Sequence, residues 1–150
     1  MSYATGEAQL LTTLRALSLY NNNNSARLDW QILNRGKDSV YAILRPGEST
    51  EEITGMGHTV AHVTYTTIIE VWQLYQKIVD ATTLETNVET TRAHFRKYRF
   101  LGGGAGNTLD CQVTGVSQML EKWRVEGGPR FVVQEINLQW QEQVAIVLAE

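Results

Sequence analysis

The stretch Thr59–Trp72, TVAHVTYTTIIEVW, decides the fold: it is thick with β-branched and aromatic residues, holds neither Gly nor Pro, and reads as one very long strand. At about 3.3 Å per residue it spans roughly 46 Å. A compact chain of 150 residues has a radius of gyration near ~15 Å and so a diameter of about 40 Å. The strand therefore either bends, with Thr66 and Thr67 the place for it, or reaches past its own domain. Alternation puts Ala61, Val63, Tyr65, Ile69 and Val71 on one face, the expected core face. Val60, His62, Thr64, Thr66, Ile68, Glu70 and Trp72 take the other. That second face is apolar at its ends and hydroxyl-rich in its middle, which suits a surface partly covered by another subunit as well as one half-open to water.

Before this strand, Thr5 is the expected cap of a helix from Gly6 to about Tyr20, with Leu10, Leu11, Leu14 and Leu17 as its apolar stripe. Asn21 to Ser25 favours a turn, because these side chains compete for backbone hydrogen bonds. Leu28, Trp30 and Ile32 alternate as in a short strand from Ala26 to Asn34. A turn at 34–38 and a strand from Ser39 to Arg45, ended by Pro46-Gly47, complete an expected hairpin. Glu48 to Gly57 reads as an exposed acidic excursion.

After it, Thr82 and Glu85 fit a capping box, and Leu84, Val88 and Phe95 recur at helical spacing up to about Tyr98. Acidic residues come early in this helix and basic ones late, which complements the helix dipole. Gly102, Gly103, Gly104 and Gly106 form a connector. The last third predicts two antiparallel strands, Asp110 to about Val125 and Arg130 to about Val147, joined at Glu126–Pro129. Met119–Trp123 fits either the first of these strands or a helical turn. In the second strand Val132, Ile136, Leu138 and Trp140 share the core face, and Glu135, Asn137, Gln139 and Gln141 the wet one. The sum is a single α+β domain over residues 1–150, with a mostly antiparallel twisted sheet of long strands and two main helices packed on it.

Composition bounds the function. Hydrophobic residues at 43% and charged residues at 19% describe a soluble globular chain, and no apolar run matches a bilayer. The N-terminus, MSYATGEAQLL, lacks a basic segment followed by an apolar one, so no secretory signal and synthesis in a cytoplasm are expected. A net charge of −3 argues against a protein whose main task is neutralising phosphates. The single Cys111 excludes an internal disulfide and a cysteine-based zinc cluster, and reads as a small buried hydrophobe.

The candidate chemical sites are weak. His58 and His62 are four apart, which on a strand separates them by roughly 13 Å, and no third ligand is near. His94 reads as a surface residue. GGGAGNT, Gly102 to Thr108, follows a helix rather than a strand and lacks a Lys-Ser or Lys-Thr pair, so it is a hinge rather than a phosphate loop. No G-x-S-x-G elbow is present, and Asp110, Glu121 and Glu126 are scattered along a hairpin. The cluster HFRKYR, His94 to Arg99, is the best nucleic-acid feature, but Phe95 and Tyr98 fall on the apolar side, leaving a solvated face or a contact for an acidic partner. No catalytic, cofactor or metal residue is expected.

The order of an amphipathic helix, a short hairpin, a long strand ending in IIEVW, a capped helix and closing strands ending in FVVQEINLQWQEQV resembles the tail terminator proteins of long-tailed bacteriophages, the lambda-like group included. The resemblance covers roughly residues 6–147 and rests on order and pattern, not on a short motif. It implies a virion structural protein without enzymatic activity or cofactor, made in the host cytoplasm. Its subunits form a homo-oligomer, a six-membered ring at the head-proximal end of the tail. Such a ring ends polymerisation of the tail tube and joins tail tube protein to the head-completion or connector protein, with DNA only passing through the lumen and no membrane involved. Within this reading Thr64, Thr66, Ile68 and Glu70 are the expected subunit seam, and Glu48, Glu51, Glu52, Gly55, Gly57, Glu126 and Arg130 the expected axial contacts. The rival readings are another neck or head-to-tail adaptor, a small α+β ligand-binding domain or enzyme, and a nucleic-acid module working through His94–Arg99.

Overall fold

The computed structural model describes residues 3–35, 37–54, 60–98, 111–123 and 128–146. The long strand is there: β3, Val60–Leu74, is flanked in antiparallel register by β2, Val40–Thr54, and β6, Arg130–Ala145. Its ladder with β6 runs unbroken from Val60↔Ala145 to Leu74↔Phe131. The ladder with β2 shifts register between Pro46 and Ser49, opposite Thr67 and Tyr65. A bulge increases local twist and bend, and this one lies opposite Thr67 and Tyr65, beside the point where a bend was expected.

The acidic stretch expected to be an excursion is therefore strand: Ser49–Thr54 pairs with Tyr65–Val60. Pro46-Gly47 does not end β2 because Pro lacks only an N–H, and β1, Ser25–Arg27, pairs with β2 no further than Leu44. Gly47 sits at the bulge, where a Cβ would lie 3.0 Å from Thr66 Cγ2 and press on that side chain.

β1 pairs parallel to β2, so the expected hairpin is a crossover. After Arg27 the chain turns at Leu28, whose φ is 57°, and whose N–H donates to the Leu44 carbonyl at 2.9 Å. It continues into a short helix, α2, Ile32–Arg35. Trp30 and Ile32 are thus not in a strand. Their alternating pattern fits either state, and burial against the sheet decided between them.

Helix α1, Tyr3–Ala16, begins before Thr5, which lies in its first turn rather than capping it. It ends before Tyr20 because 3₁₀-type bonds from Leu17 to Leu14 and from Tyr20 to Leu17 tighten the chain. Tyr20 then enters the core and its hydroxyl meets Thr91 at 2.8 Å. The asparagine turn is built as expected: Asn21 Oδ1 accepts from the N–H groups of Asn23 and Asn24, and Asn24 Oδ1 from that of Asn21. Helix α3, Ile78–Lys97, starts ahead of the Thr82–Glu85 box. Asp80 holds its N-terminus, its carboxylate accepting from the backbone of Gln76 at 2.8 Å and Lys77 at 2.9 Å.

The last third divides into β4, Gln112–Val116, β5, Leu120–Trp123, and β6. Met119 precedes β5, and no helical turn forms. Between β4 and β5, Ser117 carries the ladder, its N–H donating to the Glu135 carbonyl and its hydroxyl accepting from the Glu135 N–H. Strand order is β1-β2-β3-β6-β4, with β5 also on β6: an α+β fold with a mixed, mostly antiparallel sheet. The glycine connector 102–106 lies outside the described residues.

Helices α1 and α3 bury Leu10, Leu14, Leu84, Val88 and Phe95 against Ala42, Leu44, Ile69, Val71, Ile136, Leu138 and Trp140. A second, smaller core lies on the opposite face, where Ile32, Leu33, Tyr41, Ile43, Trp72, Phe131 and Val133 pack together. The face of β3 read as mixed is thus core at its Glu70–Trp72 end. Cys111 is buried in the larger cluster, as expected, and burial pushes its thiol up to about 12.

Candidate subunit interface

Four side chains on the second face of β3 were expected to share one setting, and the structure separates them. Glu70 is turned inward. Trp30 Nε1 and Trp72 Nε1 donate to its Oε1 at 2.9 and 3.0 Å, and Arg45 Nε donates to Oε2 at 2.7 Å. Arg45 Nη2 also donates to Glu135 Oε2. Burial works against the Arg45 charge, but its bonds to Glu135 and Glu70 outweigh it and hold the guanidinium above its ordinary value. The network closes the second core: Glu70 is 7% exposed and serves the domain's interior rather than a surface. Its signal in the sequence is a carboxylate between Ile69 and Val71, with two tryptophans whose N–H groups need partners when buried.

From Ile68 towards Val60 the same face opens. Cross-strand rows place Ile68 beside Asn137, Thr66 beside Gln139, and Thr64 between Thr50 and Gln141. None of these side chains is buried. Gln141 Nε2 donates to Thr64 Oγ1 at 3.2 Å. The result is a polar sheet surface with one aliphatic side chain, Ile68, at its inner end. Thr64, Thr66 and Ile68 are together; Glu70 is not with them.

On the opposite face the helical cover reaches Tyr3, whose ring centroid is 5.3 Å from Tyr65 and 5.7 Å from Trp140. Tyr3 donates to Glu7 at 2.6 Å, and Glu7, 1% exposed, is neutralised by Arg27. Beside these rings a shallow cleft of about 270 Å³ is lined by Tyr3, Pro46, Gly47, Ser49, Tyr65 and Thr66. Further out, Ile53, Ala61 and Val144 form a cross-strand row in which Ile53 is 55% and Val144 37% exposed. At the other end of β3, Ile78 and Val79 open α3 at 82% and 59% exposure.

Of the expected axial contacts, Glu48, Glu51 and Glu52 are exposed along β2, and Arg130 opens β6, paired with Glu121 at 3.3 Å and set over the Tyr75 ring. Gly55, Gly57 and Glu126 lie outside the described residues, as do His58, Arg99 and the Gly102–Thr108 loop. His62 stands across from Glu52. His94 joins two helices, Nε2 meeting the Thr13 carbonyl at 2.7 Å. Phe95 is buried, but Tyr98 is 48% exposed rather than on the apolar side. Among the described residues no group of three His, Cys, Asp or Glu is arranged to hold a metal, and no helix is long and apolar enough to cross a membrane.

No protein-family model matches this chain, and no curated protein matches it.

Proposed function

We propose that this chain is a virion structural subunit that closes as a ring on the head-proximal end of a bacteriophage tail tube, ending its growth and joining it to the head-completion proteins. The observation that carries the reading is the outer part of the sheet. Three strands of fifteen, fifteen and sixteen residues stay in register for about five rows beyond the Tyr3–Tyr65–Trp140 cluster, roughly 17 Å at strand spacing. Over these rows the described side chains of the polar face, Val60, His62 and Thr64 with Thr50, Glu52 and Gln141 beside them, are unburied, and the other face carries exposed Ile53 and Val144 beside buried Ala61 and Glu142. An ordered sheet of this length offers area to a neighbour.

In this reading Thr64, Thr66 and Ile68 lie in the seam between subunits, while Glu70 stiffens the sheet behind them. The outer end of the sheet, Ile53 with Val144, and the start of α3, Ile78 with Val79, serve axial contacts, one towards the tube and the other towards the connector. Capping follows if one axial surface fits the last tube ring and the other refuses a further tube ring. The element order agrees with that resemblance in part: α1, long antiparallel strands, α3 and closing strands, with parallel β1 and α2 where a hairpin was expected.

The test is negative-stain microscopy of the purified chain with tail tubes that lack their head-proximal cap. A six-membered ring at one end of the tube, with no further tube growth on addition of tube protein, is the expected result. Binding only to the connector would move the chain to a neck adaptor. No binding to either would sink the proposal.

A further inference from the structure

The two lateral edges of the sheet differ in charge. Strand order puts β2 towards one edge and β4 at the other. β1 covers β2 only from Ala42 to Leu44, so beyond Arg45 the outer edge of β2 carries no strand among the described residues. Its backbone groups there are a pairing template, and Glu48, Glu51 and Glu52 stand exposed along it. Glu51 faces Glu142 across Val63. The Tyr65 phenol registers this field, raised first by burial and then by Glu142 and Glu51. Carboxylates on a strand edge are ordinary protection against self-pairing, so the opposite flank decides whether they do more.

There α3 ends beside β4, and Arg96 lines a cleft of about 320 Å³ with Cys111, Gln112 and Val113. Among the described residues Arg92 and Arg96 share one carboxylate, Glu89, at 3.2 and 3.6 Å. Lys97 adds a further cation, 5.4 Å from the half-exposed ring of Tyr98. Among the described residues this end of α3 carries Arg92, Arg96 and Lys97 against Glu89 alone, while Tyr98 packs on His94 on the side towards α1.

Building on the ring reading, we propose that the acidic edge of β2 docks on the basic flank at the end of α3 in a second copy of this chain. Because the two patches occupy opposite flanks of the fold, the contact is head-to-tail rather than two-fold, and it closes into a ring where its rotation returns to the first copy. Opposite charge steers the right edges together, and carboxylates repel the pairing of two β2 edges.

Charge reversal on the full chain tests this, read by native mass spectrometry and light scattering at low salt. Glu51→Lys with Glu52→Lys makes both patches basic; Arg96→Glu with Lys97→Glu makes both acidic. Each variant alone should need at least ten-fold more protein to assemble than wild type. An equimolar mixture should recover assembly as an even-membered ring, since alternation satisfies every contact, and wild-type assembly should weaken as salt rises. If a reversed variant misfolds by circular dichroism, Glu51→Gln with Glu52→Gln replaces it, and loss of the salt dependence is expected. Undiminished assembly of either reversed variant, a folded mixture that stays monomeric, a neutral variant that keeps the salt dependence, or a wild-type chain monomeric at every concentration would each overturn the proposal. Rings that follow the charge rule but ignore tail tubes would uphold this contact and remove the tail reading. Capping that survives charge reversal would do the opposite.

Discussion

Gly6 lies in α1 directly over Trp140, and Gly6→Ala turns that contact into a measurable conflict. A Cβ there would sit 2.1 Å from Trp140 Cη2, 2.5 Å from Cζ3 and 2.6 Å from Cζ2. Carbon atoms pack at about 3.5–4.0 Å, so helix or indole must retreat by roughly 1.5 Å. The indole has no room: Trp140 is 0% exposed, its ring is 4.6 Å from that of Tyr65, and its Nε1 donates to Thr67 Oγ1 at 3.4 Å. The helix must lift instead, loosening Leu10 and Leu14, both fully buried. Helix propensity alone favours Ala over Gly by about 1 kcal/mol, whereas overpacking a core costs about 1–3 kcal/mol. With α1 displaced, the upper part of that range applies and the net loss should be about 2 kcal/mol. For a chain of this size that lowers Tm by roughly 4–8 °C. Urea denaturation of wild type, Gly6→Ala, Trp140→Leu and the double variant measures it. In the Trp140→Leu background the cost of Gly6→Ala should vanish or reverse. A stabilised Gly6→Ala in the wild-type background, or a coupling below about 0.5 kcal/mol, would refute the contact.

Glu70→Ala removes the shared acceptor of two indoles and Arg45, and with Arg45 still held by Glu135 the expected loss is about 2–3 kcal/mol, seen in urea melts and in altered tryptophan emission. Ile68→Asp should leave far-UV circular dichroism and Tm near wild type while weakening assembly in light scattering; an unfolded product would assign that face to the core. Cys111 should resist a thiol reagent at pH 8 and react only at the rate of unfolding, because it is 1% exposed and its thiol sits at about 12; rapid labelling would contradict its burial. Asp80 has a carboxyl below its ordinary 3.8 because the Gln76 and Lys77 backbone N–H groups favour the anion. Its contribution is complete above about pH 4 and fades as pH falls through the lower folded value, so Asp80→Asn should reduce stability at pH 7 and lose that deficit in acid.

The sequence by itself determined the elements whose pattern was redundant. The β-branched run at 60–74, the inward row Val132, Ile136, Leu138 and Trp140, and the stripe Leu84, Val88 and Phe95 each repeat one period often enough to name both the element and its buried face. The burial of Cys111 and the asparagine turn were legible for the same reason, since each follows from the chemistry of a residue and its immediate neighbours. Whatever depended on distant partners was not. Pro46-Gly47 looks like an end of strand, yet β2 passes through it because its outer neighbour stops at Leu44. Leu28, Trp30 and Ile32 alternate like a strand, yet the second face of the sheet offered Tyr41, Ile43 and Trp72 for burial and drew this segment across as a turn and helix. Glu70 shared a face with Thr64 in the sequence, but only packing brought two indoles and a guanidinium to it. The acidic β2 edge and the basic end of α3 were both visible as charge runs. Strand order alone set them on opposite flanks, because pairing partners are chosen by the burial of whole faces, which no local period encodes.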